Sequence, residues 1–140
     1  MNPAFRPVLI VLGVLVLMMA FAGLRRANAP KDSIPWRKDL QAAKSEAATA
    51  NKPVLAYFTA TWCPPCQAMQ RETWPDPRVA AALTNVVPVK IDVDQHPDVA
   101  RDFGVSAIPR LQLIHPDGTP GATREAYTAP DELIEFLREK

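Results

Sequence analysis

The chain has 140 residues, which leaves room for one ordinary domain behind its apolar N-terminal segment. Charge is nearly balanced, with 16 Lys and Arg against 15 Asp and Glu, so the composition excludes a strongly basic surface for nucleic acid. Apolar residues make up 48% of the chain, which excludes intrinsic disorder as its main state. Two cysteines are too few for a disulfide-dense miniprotein or a four-cysteine zinc module.

The N-terminal segment contains an unbroken apolar run from Val8 to Leu24, with basic residues on both sides. Its length is at the lower limit for a membrane-spanning helix and slightly above that of a signal-peptide core. We therefore expect residues 1–29 to be a signal peptide or transmembrane anchor, and residues 30–35 to be a linker. The heavier positive charge after the run favours a cytoplasmic domain, whereas N-terminal signals usually export the domain behind them. We expect export with an uncleaved anchor, which places the domain in the periplasm or another extracytoplasmic space.

Helical periodicity marks both ends of the remaining sequence. Apolar residues at helical spacing predict a helix from Trp36 to about Ala50, and they are Leu40, Ala43, Ala47 and Ala50. The segment Asn51-Lys52-Pro53 is expected to end this helix. A second helix is expected to begin at Pro130, and its inward-facing residues are Leu133, Ile134, Phe136 and Leu137.

Short apolar runs between these helices are typical of buried strands. They cover residues 54–58, 86–91 and 111–114, and a turn signal at Pro116-Asp117-Gly118 follows the third run. Because helices alternate with strands, residues 36–140 are predicted to form an α/β domain with a central mixed sheet flanked by helices.

Both cysteines lie in one C-x-x-C motif, Trp62-Cys63-Pro64-Pro65-Cys66, directly after the first predicted strand. A structural disulfide would close a very small ring and would therefore stabilise little. A zinc site would need His96 and His115 as further ligands, and these are isolated from each other. A redox function fits better, because a helix N-terminus stabilises a thiolate on the first cysteine. The redox interpretation is favoured here, and the other two stay open.

Several segments resemble the thioredoxin family. The stretch from Thr59 to Cys66 is similar to its active site, and the stretch from Phe103 to Pro109 is similar to its G-x-x-x-I-P segment. The segment from Glu72 to Val79 is closer to one branch, the C-terminal domain of the transmembrane reductant DsbD and its anchored relatives. The CPPC sequence also occurs in anchored thioredoxins of cytochrome c maturation. The resemblance implies a thioredoxin fold from Trp36 to the C terminus, behind an N-terminal hydrophobic helix.

The resemblance also implies roles for single residues. Cys63 would be the exposed nucleophile that attacks a substrate disulfide, and Cys66 would resolve the mixed disulfide. Trp62 would shield the site, while Pro109 would be a cis-proline that leaves the backbone of Ile108 free to pair with substrate. These roles describe a thiol–disulfide oxidoreductase that reduces protein disulfides outside the cytoplasm, with a membrane electron donor of the DsbD type. Neither an organic cofactor nor a metal is expected, because the chemistry resides in the two sulfurs.

The two prolines inside the motif are expected to tune the site. Proline has no N–H, so Pro64 and Pro65 remove two backbone donors that could approach the Cys63 sulfur. We expect the pKa of the Cys63 thiol to be less depressed than in a loop that contains glycine.

Two residues depart from the family pattern. Tyr57 stands where many thioredoxins have a buried Asp, and a phenol is a poor base at neutral pH. Lys90 matches the lysine often paired with that Asp, and Arg110 follows the proline where Thr is common. Arg110 would either act on the thiolate and acidic partners or be a solvated surface residue. The alternative function is a non-catalytic binding module, such as a metal or apo-protein chaperone.

Overall fold

The structure is a computed structural model that describes residues 12–16, 18, 19 and 34–139. Residues 12–16, 18 and 19 are helical and exposed, whereas the remainder of the predicted leader and residues 30–33 of the predicted linker lie outside the described part. Within the described residues, no helix is both long and apolar enough to cross a membrane. Ile34, at the end of the predicted linker, is buried in the core, so the packed domain begins slightly earlier than expected.

Residues 34–139 form five helices and four strands. In chain order these are α1 (Leu40–Ala50), β1 (Val54–Thr59), α2 (Pro64–Glu72), α3 (Pro77–Leu83), β2 (Val87–Asp92), α4 (Pro97–Asp102), β3 (Arg110–Ile114), β4 (Pro120–Glu125) and α5 (Pro130–Phe136). The strands make one sheet in the order β2-β1-β3-β4. β1 is parallel to β2 and antiparallel to β3, and β3 is antiparallel to β4. The predicted mixed sheet flanked by helices is confirmed.

The three predicted strands match β1, β2 and β3 to within one residue at each end. α1 begins at Leu40 rather than Trp36, because the Asp39 side chain caps it by accepting the Ala42 N–H at 2.7 Å. Arg37 instead forms a parallel bridge with Val89 at the sheet edge. Ala50 is exposed, since α1 ends there and Asn51 adopts a left-handed conformation with φ 50°.

Alternation along β1 divides the apolar side chains between two faces of the sheet. Leu55 and Tyr57 belong to a cluster with residues of α2, α3 and α5, whereas Ala56 and Phe58 belong to a cluster with residues of α1. All six residues of β1 are buried, as expected for a central strand that is covered on both sides. This covering holds the C-terminal end of β1 in a fixed position between two layers of helices.

A tight connection holds the segment before β3 against the segment after β4. Ala126 donates its N–H to the carbonyl oxygen of Pro109 at 2.9 Å, and it does so with φ at +70°. The left-handed region is unfavourable for a residue with a Cβ, by roughly 1–2 kcal/mol. The fold therefore stores strain directly beside Pro109.

Replacing Ala126 with glycine is expected to raise the free energy of unfolding by about 0.5 kcal/mol, because relief of the strain exceeds the extra chain entropy of glycine. The hydrogen bond to Pro109 is kept, since it uses the backbone. Ala42→Gly, at an exposed helical position in α1, is the matched control and is expected to lower the same quantity by about 1 kcal/mol. Urea denaturation of both variants measures the difference. Equal destabilisation by the two substitutions would contradict the assignment of strain to Ala126.

Candidate active site

The C-x-x-C motif lies where β1 ends and α2 begins. Cys63 has an extended backbone (φ −83°, ψ 109°) and is the N-cap of α2, with Pro64 and Pro65 in the first two helical positions. Proline is well tolerated there because the first N–H groups of a helix have no intrahelical partner. Cys66 occupies the third position and donates its N–H to Cys63 Sγ at 3.3 Å. Neither Pro64 nor Pro65 has an N–H to direct at the sulfur, so Cys66 supplies the N–H that reaches it. The expected effect on the pKa of the Cys63 thiol stays a prediction.

The two cysteines form a disulfide, and both are buried. Cys63 is 2% exposed and Cys66 is 1% exposed, so the prediction that Cys63 is exposed is wrong for this oxidised form. The reason is packing, because the cysteines cluster with Ala60 and contact Val93 and Ile108. A partner must therefore reach sulfurs that their neighbours almost entirely cover in this form.

The segment around the cis-proline reaches the disulfide through Ile108. The Ile108–Pro109 peptide bond is cis, Pro109 is buried, and Ile108 packs on the cysteine cluster. The start of β3 is brought here by the sheet, because Arg110 is the register partner of Phe58 near the end of β1. Two segments far apart in sequence therefore meet at the sulfurs.

Trp62 is the most exposed large apolar residue between positions 34 and 139, at 62%. Its indole Nε1 donates to Asp94 Oδ2 at 2.7 Å, which fixes the ring although it is exposed. Trp62 and Ile108 line a groove of about 370 Å³ beside the disulfide, together with Val93, Val105 and Ala107. Sequence reasoning did not single out Asp94 as a site residue. Its role in holding Trp62 becomes visible when β2 places it beside the motif.

A second opening lies on the other side of the motif. It is a cleft of about 480 Å³ whose wall includes Cys66, Thr59, Lys90, Asp92 and His96. Lys90, which matches the lysine often paired with the family's buried Asp, thus lines the same cleft as the resolving cysteine.

Tyr57, at the position of the family's buried Asp, is completely buried among aromatic rings. Its ring centroid lies 4.8 Å from that of Trp74 and 5.7 Å from that of Trp36. Aromatic contacts at these distances stabilise the core, so Tyr57 functions here as a packing residue.

Arg110 is not a freely solvated surface residue, so that alternative is wrong. Its action on the thiolate or on acidic partners stays a prediction. Its guanidinium donates to the Gly104 carbonyl at 3.0 Å, to Gln112 at 3.2 Å and to Glu125 at 3.3 Å. The side chain is only 14% exposed, because it lies across the β3–β4 pair. Arg110 therefore fixes the loop before Pro109 to the sheet.

Tyr127 connects the same region to α2. It donates a hydrogen bond to Glu72 Oε2 at 2.8 Å, and this bond raises the pKa of Tyr127 above its usual value. The neighbouring Thr128 accepts at its carbonyl from the buried Thr73 hydroxyl at 2.7 Å. The segment that follows β4 is thus joined to the C-terminal end of α2.

The two histidines are separated, as the sequence predicts. His96 is the exposed N-cap of α4, and His115 follows β3. In the part of the chain that the structure describes, no group of three or more His, Cys, Asp or Glu side chains is arranged to hold a metal ion.

Comparison with known proteins places this site in a family. The sequence model of the family described as Thioredoxin-like matches residues 35–116. The chain belongs to the thioredoxin-like family. The predicted resemblance is thereby confirmed.

Individual relatives agree with this assignment. A thioredoxin of Mycobacterium bovis is 39% identical over 72 residues, which are 51% of this chain and 60% of the relative. The C-terminal domain of DsbD from Neisseria meningitidis, in its oxidised form, is 25% identical with a TM-score of 0.62, covering 75% of this chain and 99% of that domain. Oxidised mitochondrial thioredoxin 3 of Saccharomyces cerevisiae is 29% identical with a TM-score of 0.58, covering 77% of this chain and 96% of that protein.

This chain spans about three fifths of the length of the thioredoxin of Mycobacterium bovis. Family membership and the closed Cys63–Cys66 pair together support the predicted enzyme class, a thiol–disulfide oxidoreductase.

The capping geometry predicts the effect of returning an N–H to the motif. An N-cap side chain accepts from the second or third helical N–H, so Pro65→Ala adds a donor in the better position. We expect it to lower the pKa of the Cys63 thiol in the reduced protein by roughly one pH unit. Pro64→Gly adds a donor at the first position and is expected to lower this pKa by less. The pH dependence of Cys63 alkylation measures both, and a pKa that is unchanged or higher in both variants would refute the effect.

Proposed function

We propose that this protein is a thiol–disulfide oxidoreductase that reduces protein disulfides outside the cytoplasm. The observation that carries the proposal is the Cys63–Cys66 disulfide at the start of α2, lying against the cis-Pro109 segment. A purely structural disulfide over this short span would add little stability. Reversible chemistry also fits the position of the pair, which is buried but borders a groove through Ile108 and a cleft through Cys66.

The chemistry needs only the two sulfurs. In the reduced protein, Cys63 thiolate attacks a substrate disulfide, forms a mixed disulfide with one substrate sulfur and releases the other as a thiolate. Cys66 then loses its proton and attacks Cys63 Sγ, which breaks the mixed disulfide and releases the second substrate sulfur. Two electrons pass from the cysteine pair to the substrate. The proposal therefore includes no organic cofactor and no metal.

The groove beside the disulfide supplies a surface for protein substrates. Trp62, held by Asp94, forms one side, and Ile108 forms the other. A substrate in an extended conformation could pair with the backbone at Ile108 and place its disulfide next to Cys63 Sγ.

The proposed direction is reduction, with electrons from a membrane donor of the DsbD type. Its support is the similarity to the DsbD C-terminal domain of Neisseria meningitidis. The apolar run from Val8 to Leu24 supports export and attachment to a membrane through the N-terminal segment.

Insulin reduction by the full-length protein tests the activity. We expect both Cys63→Ser and Cys66→Ser to abolish turnover, since each variant lacks one of the two sulfurs. The variants serve as each other's control, because only Cys66→Ser retains the nucleophile and is expected to trap a mixed disulfide. Stoichiometric copper or zinc binding by a wild-type protein without turnover would instead indicate a binding module.

The direction of electron flow follows from the reduction potential of the Cys63–Cys66 pair, measured by equilibration with glutathione. A value near the roughly −270 mV of thioredoxin is expected for a reductant. A value near the roughly −120 mV of DsbA would make the protein a disulfide donor and would overturn the proposed direction.

A further inference from the structure

The resolving cysteine borders a cleft in which a proton acceptor can be identified. The Cys66 thiol must lose its proton before its sulfur can attack Cys63. Tyr57, at the position of the family's buried carboxylate, is enclosed by Trp36 and Trp74 and is a poor base. The cleft beside Cys66 has a volume of about 480 Å³, far more than the roughly 30 Å³ that one water occupies in the liquid. Water can therefore carry a proton between Cys66 and the polar groups of the cleft wall.

The sheet register places one carboxylate on this wall. Tyr57 is the partner of Lys90, and Thr59 is the partner of Asp92, at the ends of the two parallel strands. Alternate residues of a strand point to the same face, so these four side chains share the face that α2 covers. Asp92 stands one alternate position beyond Lys90, at the end of the strand, and it lines the same cleft as Cys66.

The Asp92 side chain is held in place. Its Oδ1 accepts the Asp94 N–H at 2.9 Å, and the side chain is half-buried. Asp94 in turn holds Trp62 at 2.7 Å. The two carboxylates thus serve different sides of the motif, with Asp94 on the groove and Asp92 on the cleft.

Three other charged or titratable side chains line the cleft, namely Lys38, Lys90 and His96. Lysine is protonated near neutral pH and cannot accept a proton in that form. His96 is exposed at the start of α4 and also borders a neighbouring opening beneath α1, so it lies at the margin of the cleft. Asp92 is the cleft residue that combines partial burial with a fixed orientation, and it is a carboxylate, the kind of group that accepts a proton near neutral pH.

We propose that Asp92 is the proton acceptor for Cys66, acting through water in the cleft; this inference rests on the proposed oxidoreductase function. The Cys66 proton passes to the Asp92 carboxylate, and the resulting thiolate forms the bond to Cys63 Sγ. The bond between Cys63 and the substrate sulfur breaks, and the substrate leaves as a thiolate. Asp92 then returns its proton to that thiolate or to solvent.

A proton acceptor and a group that acts only through its negative charge have opposite effects on the rate at which Cys66 attacks the mixed disulfide. This difference makes the proposal testable. A carboxylate that only repels the Cys66 thiolate slows resolution, so its neutralisation would accelerate this step. A carboxylate that takes the proton accelerates resolution, so its neutralisation slows this step. Asp92→Asn keeps an oxygen that can accept the Asp94 N–H and removes only the charge and basicity.

The experiment uses the reduced full-length chain and the aromatic disulfide 5,5′-dithiobis(2-nitrobenzoate) under stopped flow. The first coloured thiolate is released by the attack of Cys63, and the second by the attack of Cys66. In Asp92→Asn we expect the second phase to be at least about tenfold slower at pH 7, with the first phase unchanged. In the wild type the second phase is expected to slow in acid, where carboxylates in general become protonated and cannot accept a proton, whereas in the variant its rate should increase steadily with hydroxide.

Matched variants isolate the effect. Asp98→Asn removes the same charge from an exposed position in α4 outside the cleft lining and is expected to leave both phases unchanged. Asp92→Glu restores a carboxylate and is expected to recover most of the second phase. Asp92→Ser, which also offers an oxygen to the Asp94 N–H, repeats the test if the Asn variant does not fold.

A second phase that is unchanged or faster in Asp92→Asn overturns the proposal. A second phase that is slowed in His96→Gln but not in Asp92→Asn also overturns it, because His96 would then be the acceptor. Failure of the proposed function is a different result, because then the wild type itself would release no second thiolate.

Discussion

The site depends on one constraint, the placement of the first turn of α2 directly on the end of β1. β1 is buried along its whole length, so its C-terminal end has a fixed position. Cys63 follows within four residues and caps α2 through its own sulfur, which accepts the Cys66 N–H. The sulfur atom that caps α2 is therefore also the reactive atom. The same two cysteines form the cap of the helix and the redox pair.

The strand order explains why a distant proline reaches this sulfur. β3 runs antiparallel to β1, so the start of β3 lies beside the end of β1. Pro109 immediately precedes β3, and its neighbour Ile108 thereby packs on the cysteine cluster. Arg110 fixes the loop before it, while Ala126 fixes Pro109 from the side of β4. Ala126 makes its hydrogen bond to Pro109 with a left-handed backbone, and this conformation is unfavourable for a residue with a Cβ.

The sequence predicts the parts of the fold that are governed by buried apolar runs. β1, β2 and β3 are continuous and apolar, and each was located to within one residue at its ends. β4 was not predicted, because it is a partly exposed edge strand with Pro120, Gly121 and charged residues, and it lacks an apolar run. α3 was also not predicted, since seven residues give too few turns for helical periodicity to be visible.

The candidate site was predictable where local motifs define it and not where packing does. The cysteine pair and the cis-proline segment are visible as short motifs in the sequence. The burial of Cys63 was not predictable, because Val93 and Ile108 come from other elements. The same holds for Arg110, whose partners include Glu125 of β4, a strand that was not predicted. The predicted leader falls mostly outside the described residues, and its role remains part of the proposed function.

The aromatic contacts of Tyr57 explain why the region behind the motif differs from that of many thioredoxins. Trp74 is completely buried, and its ring is packed against both Tyr57 and the half-buried Trp36. A carboxylate at position 57 would be buried against these rings, at a high desolvation cost. Polar groups are instead found further along β2, at Lys90 and Asp92, where the cleft admits water. Tyr57 in place of a buried carboxylate therefore does not preclude proton transfer at the site. The proposed acceptor, Asp92, lies on the cleft wall instead of in the core.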